Sequence, residues 1–328
     1  MNSKEYQDAL PTVAIFMVTY NHEKYISNSI EKIISQETNF KFKLFIGEDC
    51  SKDNTKSICL DYAEKYPDKV EVIANEQNNI KKNIDNVWRA IFSSGAKYVA
   101  ICEGDDYWID PHKLQKQVDF LDANPDFSLC FSGVDVIDEI GLKRPDIFPP
   151  LPKQEFTMED VVTTGYCFIP TASLFFRNIL PNPLPSFYTN AFSGDIALHL
   201  LLTDKGKAKY FPENMAVYRH HSGGITKSEK HVKESDYREF LLYIQANEYF
   251  NRKYDKIFRK RLSEMSKVML IYGSRDKTGI KKLKHYFKSL PDYIKYSDRI
   301  NFKELAYYHT ILFFPFILKL FKKTGDIA

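Results

Sequence analysis

Three carboxylates crowd around one glycine in Cys102-Glu103-Gly104-Asp105-Asp106-Tyr107-Trp108. Acids packed this closely repel one another, so the cluster suits a place where a cation will sit, and hard oxygen donors favour magnesium or manganese. Gly104 between them lets a ligand approach the backbone closely. Taken alone, such a tripeptide is more often a solvated acidic turn. Here it directly follows the apolar run Tyr98 to Ile101, which reads as a buried strand. Open α/β sheets bind ligands just beyond the carboxyl ends of such strands.

Other polar groups fall at comparable places. The run Phe42 to Ile46 closes in Gly47-Glu48-Asp49, and Ser51-Lys52-Asp53-Asn54-Thr55 then offers several helix N-caps. Ser193-Gly194-Asp195 reads as a helix start, where Asp195 would at the least complement the helix dipole. Arg219-His220-His221 precedes Ser222-Gly223-Gly224, so two histidines beside a Gly-Gly turn could supply a metal ligand and a phosphate donor, or could be plain surface residues.

The elements that must position these groups alternate regularly. Thr12 to Thr19 is a continuous apolar and β-branched run, the pattern of a strand buried on both faces, and Tyr20-Asn21-His22 breaks it. Ile26, Ile30, Ile33 and Ile34 recur at helical spacing. Further helices are expected over Lys56 to Tyr66, Asn83 to Ser93 and Asp110 to Asn124, and strands over Val70 to Ala74, Phe127 to Val136 and Met215 to Tyr218. The alternation implies an α/β fold with a Rossmann-like, mostly parallel central sheet flanked by helices. Right-handed crossovers then bring the strand ends carrying Tyr20, Asp49 and Asp105 to one sheet edge. No GxGxxG follows the first strand and no GxxxxGK[ST] occurs, so a diphosphate in this crevice needs another source of positive charge. A divalent cation (Mn2+ or Mg2+) on Glu103, Asp105 and Asp106 supplies it.

The totals narrow the rest. A net charge of +3 over 328 residues argues against nucleic acid as the main partner. Five scattered cysteines without a CxxC pair favour reduced thiols and a cytoplasmic location, and no secretory signal is visible. Beyond Thr226 the chain turns to long helical periodicity. The expected division is an α/β domain over residues 1–226 and a helical extension over 227–328. Thr310 to Phe321 is apolar, too short to span a bilayer, and followed by Lys322-Lys323. It reads as a terminal helix packed on the protein or as a peripheral membrane contact.

Together these stretches, from about Val13 to Gly224, resemble the family-2 inverting glycosyltransferases with the A-type fold of the nucleotide-diphospho-sugar transferases. The opening Val18-Thr19-Tyr20-Asn21 is similar to the family's start, with the tyrosine near the nucleotide base. Glu48-Asp49 followed by Cys50-Ser51-Lys52-Asp53-Asn54-Thr55 resembles its paired acid and Gly/Cys-Ser-x-Asp-x-Thr. By that similarity Asp49 accepts from the uracil N–H, with Glu48 standing where aspartate is commoner. Glu103-Gly104-Asp105-Asp106 resembles the Asp-x-Asp metal signature in either of two registers, Glu103 with Asp105 or Asp105 with Asp106. The resemblance implies Asp105 and Asp106 as metal and ribose contacts, with Glu103 joining directly or through water. Gly194-Asp195 is similar to the catalytic-base motif, and Tyr218 to Gly224 to the distal basic segment, which places His221 on the metal or diphosphate and Arg219 on the diphosphate. The implied activity is transfer, with inversion, from a nucleotide-diphospho-sugar, UDP-linked by the Asp49 similarity. In a site of that kind Tyr107 and Trp108 are candidates to stack on a sugar face, with packing beneath the next helix as the alternative for Trp108, and Arg177, after the strand-like run Thr171 to Phe176, is a candidate for the acceptor side. The implied acceptor is a saccharide or lipid-linked saccharide in cell-surface polysaccharide or glycolipid biosynthesis, at the inner face of the membrane. A nucleotidyltransferase-like enzyme and a non-catalytic nucleotide-sugar-binding module are the alternatives.

Overall fold

The computed structural model describes residues 10–145, 147–164, 168–221, 229–271, 290–292 and 294–296. The chain divides into two compact units, Met1–Ser228 and Glu229–Ala328.

In the first unit, strands β1 (Val13–Thr19), β2 (Phe42–Glu48), β3 (Val70–Ala74) and β4 (Tyr98–Ile101) alternate with helices α1 (Ile26–Ile34), α2 (Thr55–Lys65) and α3 (Ile80–Ser93). They pair in parallel in the order β3-β2-β1-β4. This is the half that hydrophobic runs predict: Val13 to Met17 are all buried, because parallel strands are covered on both faces. Ile26, Ile30 and Ile33 of α1, and Val87, Trp88 and Ile91 of α3, are the buried stripes that cover them. Asn79 caps α3 by accepting from the Lys82 N–H.

The other half is mixed. After β5 (Tyr107–Trp108) come α4 (Lys113–Ala123), β6 (Phe127–Asp138), β7 (Glu155–Phe156), α5 (Met158–Thr163), a 3-10 turn at Thr171–Ser173, β8 (Phe175–Arg177), α6 (Ser186–Thr189), α7 (Gly194–Thr203) and β9 (Lys207–His220). The order continues β4-β8-β6-β9-β5, with β7 also on β9. Only β8, antiparallel to both β4 and β6, separates them, so β6 and its parallel partner β9 run in the same direction as β4. The ends of β1, β2, β4, β6 and β9 therefore share one edge.

Two expectations change here. The strand expected over Thr171 to Phe176 is a 3-10 turn followed by a three-residue strand, because Pro170 precedes it and the chain must reverse direction to pair antiparallel. The short strand expected at Met215 to Tyr218 is part of a fourteen-residue β9 that contains Pro212. Register shifts around Gly133 absorb that proline, and a Cβ on Gly133 would lie 2.3 Å from Asn214 Oδ1.

The second unit contains α8 (Glu229–Tyr249) and α9 (Asp255–Ile271), joined through Asn251 and Arg252 in the left-handed region. Tyr243, Phe250 and Phe258 form the aromatic contact between them. Among the described residues no helix is long and apolar enough to cross a membrane. Ser222-Gly223-Gly224, Cys167 and the apolar stretch 310–321 lie outside the described residues.

Candidate active site

The acidic cluster sits where β4 runs out at the shared edge. The Cys102 and Gly104 N–H groups donate to Phe16 and Val18 carbonyls of β1, so the strand geometry continues into the cluster, and Ser29 Oγ holds the Gly104 carbonyl at 3.0 Å. Gly104 is needed for close approach: a Cβ there would lie 2.5 Å from Thr19 Oγ1. One ligand oxygen from each of Glu103, Asp105 and Asp106 can be chosen so that all three lie within 4.8 Å of one another.

Their electrostatics differ. Burial, with Asp105 beside it, pushes the Asp106 carboxyl well above the ordinary carboxylate range, although the Arg219 N–H donates to Oδ1 at 2.8 Å. Asp106 Oδ2 is buried without a hydrogen-bond partner. Burial and the charges of Asp105, Asp195 and Asp106 push Glu103 well up too. Burial also acts to raise Asp105, but the hydrogen bond from His221 and the positive potential of His22 outweigh it and hold the group low. A buried, unpartnered carboxylate oxygen within a triad of acids fits a hard divalent cation, which would supply the missing partner and offset the repulsion.

The end of β9 delivers the basic wall. His221 Nε2 lies 2.9 Å from Asp105 Oδ2, and the Arg219 guanidinium donates to the Asp105 carbonyl oxygen. That guanidinium is stacked 4.4 Å from the Tyr107 ring centroid and 5.0 Å from that of Tyr25. Asp195 is in the first turn of α7. Burial raises its carboxyl, a hydrogen bond from the Thr171 hydroxyl works against the rise, and its charge is felt by Glu103.

The Glycosyl transferase family 2 pattern matches residues 14–182, more than half of the chain. The chain belongs to this family. Rv1520 of Mycobacterium tuberculosis, an uncharacterised protein, is 35% identical over 233 residues, 70% of this chain and 63% of that protein. The chain thus spans under two thirds of the length of this curated relative. WfgD of Escherichia coli, a UDP-Glc:alpha-D-GlcNAc-diphosphoundecaprenol beta-1,3-glucosyltransferase, is 27% identical over 126 residues, 38% of this chain and 47% of that one. The crystal structure of S. aureus TarS 1-349 in complex with UDP-GlcNAc matches with a TM-score of 0.58 at 16% identity, covering 87% of this chain and 81% of that one. The architecture is therefore the A-type fold of the family 2 glycosyltransferases.

On this glycosyltransferase fold, the residues expected at the nucleotide lie at the ends of β1 and β2. Tyr20 is half-buried and Asn21 is exposed with φ 56; the Asn21 Oδ1 accepts the Lys52 N–H at 2.8 Å and so ties the two loops together. Glu48 is buried, its Oε1 accepting the Ser51 N–H at 2.7 Å. Asp49 is buried and ringed by asparagines: Oδ1 accepts from Asn75 Nδ2 and the Asn79 N–H, and Oδ2 from Asn78 Nδ2. Thr19 is buried, its Oγ1 3.2 Å from His22 Nδ1.

The packing alternative holds for Trp108, and the expectation for Arg177 fails. Trp108 is 1% exposed, its Nε1 donates to the Ala172 carbonyl and Lys113 Nζ lies 4.4 Å over its ring, so it packs beneath the site and has no face for a sugar. Arg177 is at the opposite edge: β8 runs antiparallel, pairing Arg177 with Tyr98 at the start of β4, and the guanidinium donates to the carbonyls of Phe127, Leu121 and Asn124. The start of that segment, Thr171, is what reaches the site. Thr171, Tyr25 and His22 are the site residues that sequence reasoning passed over; His22 alone carried a signal, as a titratable residue at the break after β1.

Proposed function

We propose that the protein transfers a sugar from a nucleotide-diphospho-sugar, UDP-linked, to an acceptor hydroxyl with inversion at the anomeric carbon. The observation that carries this reading is the acidic triad of Glu103, Asp105 and Asp106 just beyond β4, with Asp106 Oδ2 buried and unpartnered, and with the charge of Asp195 acting on Glu103. Asp49, through the acceptor position its asparagine neighbours leave on Oδ2, would take the base N–H, and Tyr20 would lie along the base. Glu103, Asp105 and Asp106 would hold a divalent cation, which when bound offsets the charge developing on the departing diphosphate. Arg219 and His221 line the same side and would add hydrogen-bond donors to those oxygens. Asp195 would accept the acceptor hydroxyl's proton as that oxygen attacks the face opposite the leaving group, which makes a single displacement inverting. Its raised proton affinity suits it to that role.

WfgD's GlcNAc-diphosphoundecaprenol acceptor supports a saccharide or lipid-linked saccharide as the acceptor class here, and the protein would act on it at the cytoplasmic face of a membrane. Residues 1–226 would carry the chemistry, and residues 227–328 would form an extension.

The test is release of nucleoside diphosphate from a panel of UDP-, GDP- and dTDP-sugars, with manganese, magnesium or chelator, for the protein and Asp105→Ala, with donor binding followed in parallel. Metal-dependent release from UDP-sugars, lost in the variant, supports the reading. Absence of both release and donor binding across the panel overturns it.

A further inference from the structure

Nothing in the metal-and-base scheme uses His22, yet the fold fixes it carefully. Asn21, in the left-handed region, turns the chain back after β1. The His22 N–H then donates to Thr55 Oγ1 at 2.7 Å, and the Asn21 N–H donates to Ser51 Oγ at 3.0 Å, so the α2 entry loop pins the backbone on either side of the turn. The ring bridges two strand ends. Its Nδ1 lies 3.2 Å from Thr19 Oγ1 and its Nε2 3.7 Å from Asp105 Oδ2, the same oxygen that His221 Nε2 meets at 2.9 Å. The two imidazoles stand nearly perpendicular, with ring centroids 6.2 Å apart. A Cβ on Gly104 would lie 3.0 Å from His22 Nδ1 and 2.5 Å from Thr19 Oγ1, so a side chain at position 104 would crowd both members of this pair.

We infer that His22, with Thr19 behind it, is a positioning residue for Asp105: His221 meets Oδ2 at hydrogen-bond distance, and the His22 ring, held by Thr19, stands 3.7 Å from the same oxygen, so the two rings together limit how Asp105 enters the triad. A carboxylate that must face a cation is held by a partner on its far side, and loss of such a partner commonly weakens metal affinity by about 10- to 100-fold. Thr19, buried and facing Nδ1, sets the ring orientation so that Nε2 points to Asp105.

The inference rests on the cation site proposed above, and the experiment separates the two. Mn2+ is titrated calorimetrically into the full-length protein, His22→Ala, His22→Gln and Asp105→Ala, with the melting temperature of each metal-free protein recorded. The expected result is Mn2+ binding by the wild type, loss in Asp105→Ala, roughly 10- to 100-fold weaker binding in His22→Ala, and substantial recovery in His22→Gln, whose amide nitrogen reaches the position of Nε2. Wild-type affinity in His22→Ala overturns the positioning role while leaving the cation site standing. Failure of the wild type to bind Mn2+, or undiminished binding in Asp105→Ala, overturns the cation site and the inference with it. If His22→Ala does not fold, His22→Gln against His22→Leu decides the matter: equal affinities in these two overturn the inference.

Discussion

Asp106 Oδ1 accepts the backbone N–H of Arg219 at 2.8 Å, joining the end of β4 to the end of β9 across 113 residues of sequence. The other oxygen of the same carboxylate is buried without a partner. One half of Asp106 therefore holds the site together, and the other half is a cost to the metal-free fold. Asp106→Asn keeps an acceptor for Arg219 while removing a charge that burial and Asp105 both disfavour. The metal-free variant should melt no lower than wild type, with each kcal/mol of relief worth about 2–4 °C. The rise in melting temperature on adding Mn2+, which for a site filled at 100 times its Kd corresponds to about 2.7 kcal/mol, should disappear. A variant that melts well below wild type and still responds to Mn2+ contradicts this account of Asp106.

Thr171 gives a prediction in pH. Its hydroxyl stabilises the charged form of Asp195, opposing the upward push of burial. A general base works only when deprotonated, so the acid limb of kcat/KM should rise through the Asp195 titration. Removing a hydrogen bond to the carboxylate raises its proton affinity, so Thr171→Val should move that limb to higher pH at nearly unchanged plateau. An unmoved limb, or one moved to lower pH, argues against the contact.

His199 lies one helical turn beyond Asp195 and is 2% exposed, with Nε2 unpartnered. Burial lowers its pKa from 6.5 to about 3. The unfolded chain takes up a proton near pH 6.5 that the folded state refuses until about pH 3, so stability is lost as pH falls through that window. Between pH 7 and pH 5 the loss is about 2 kcal/mol. His199→Leu should be as stable as wild type at neutral pH and show a correspondingly flatter acid limb in urea-midpoint measurements. An unchanged slope would contradict the buried neutral imidazole.

The parallel half of the sheet was legible because each strand buried on both faces leaves an uninterrupted apolar run, as in Val13 to Met17, and each covering helix leaves a stripe such as Val87, Trp88 and Ile91. The placing of Tyr20, Asp49 and Asp105 along one sheet edge was legible from polar residues at strand ends, whereas Asp195 and His221 were joined to that site only through the family resemblance. What was not legible is strand direction. Phe175 to Arg177 looks the same read either way, yet an antiparallel β8 sends Arg177 to the far edge and brings Thr171 to the site. Trp108 was ambiguous for a related reason: an aromatic next to a ligand loop can face the ligand or the core. Lys113, buried against that ring and hydrogen-bonded to Gln117 at 2.6 Å, occupies the interior side, which no periodicity announces. His22 was hidden because its partners, Thr19 and Asp105, are set by tertiary approach at Gly104.

The central claim is that Asp195 removes the acceptor proton while the carboxylate cluster serves the donor. It is tested most directly by comparing donor affinity and transfer in wild type and Asp195→Asn, which changes one oxygen for a nitrogen and leaves the cluster intact. Donor affinity within about twofold of wild type, together with a loss of transfer of roughly 100- to 10,000-fold, is the predicted result. Full turnover by Asp195→Asn would contradict it.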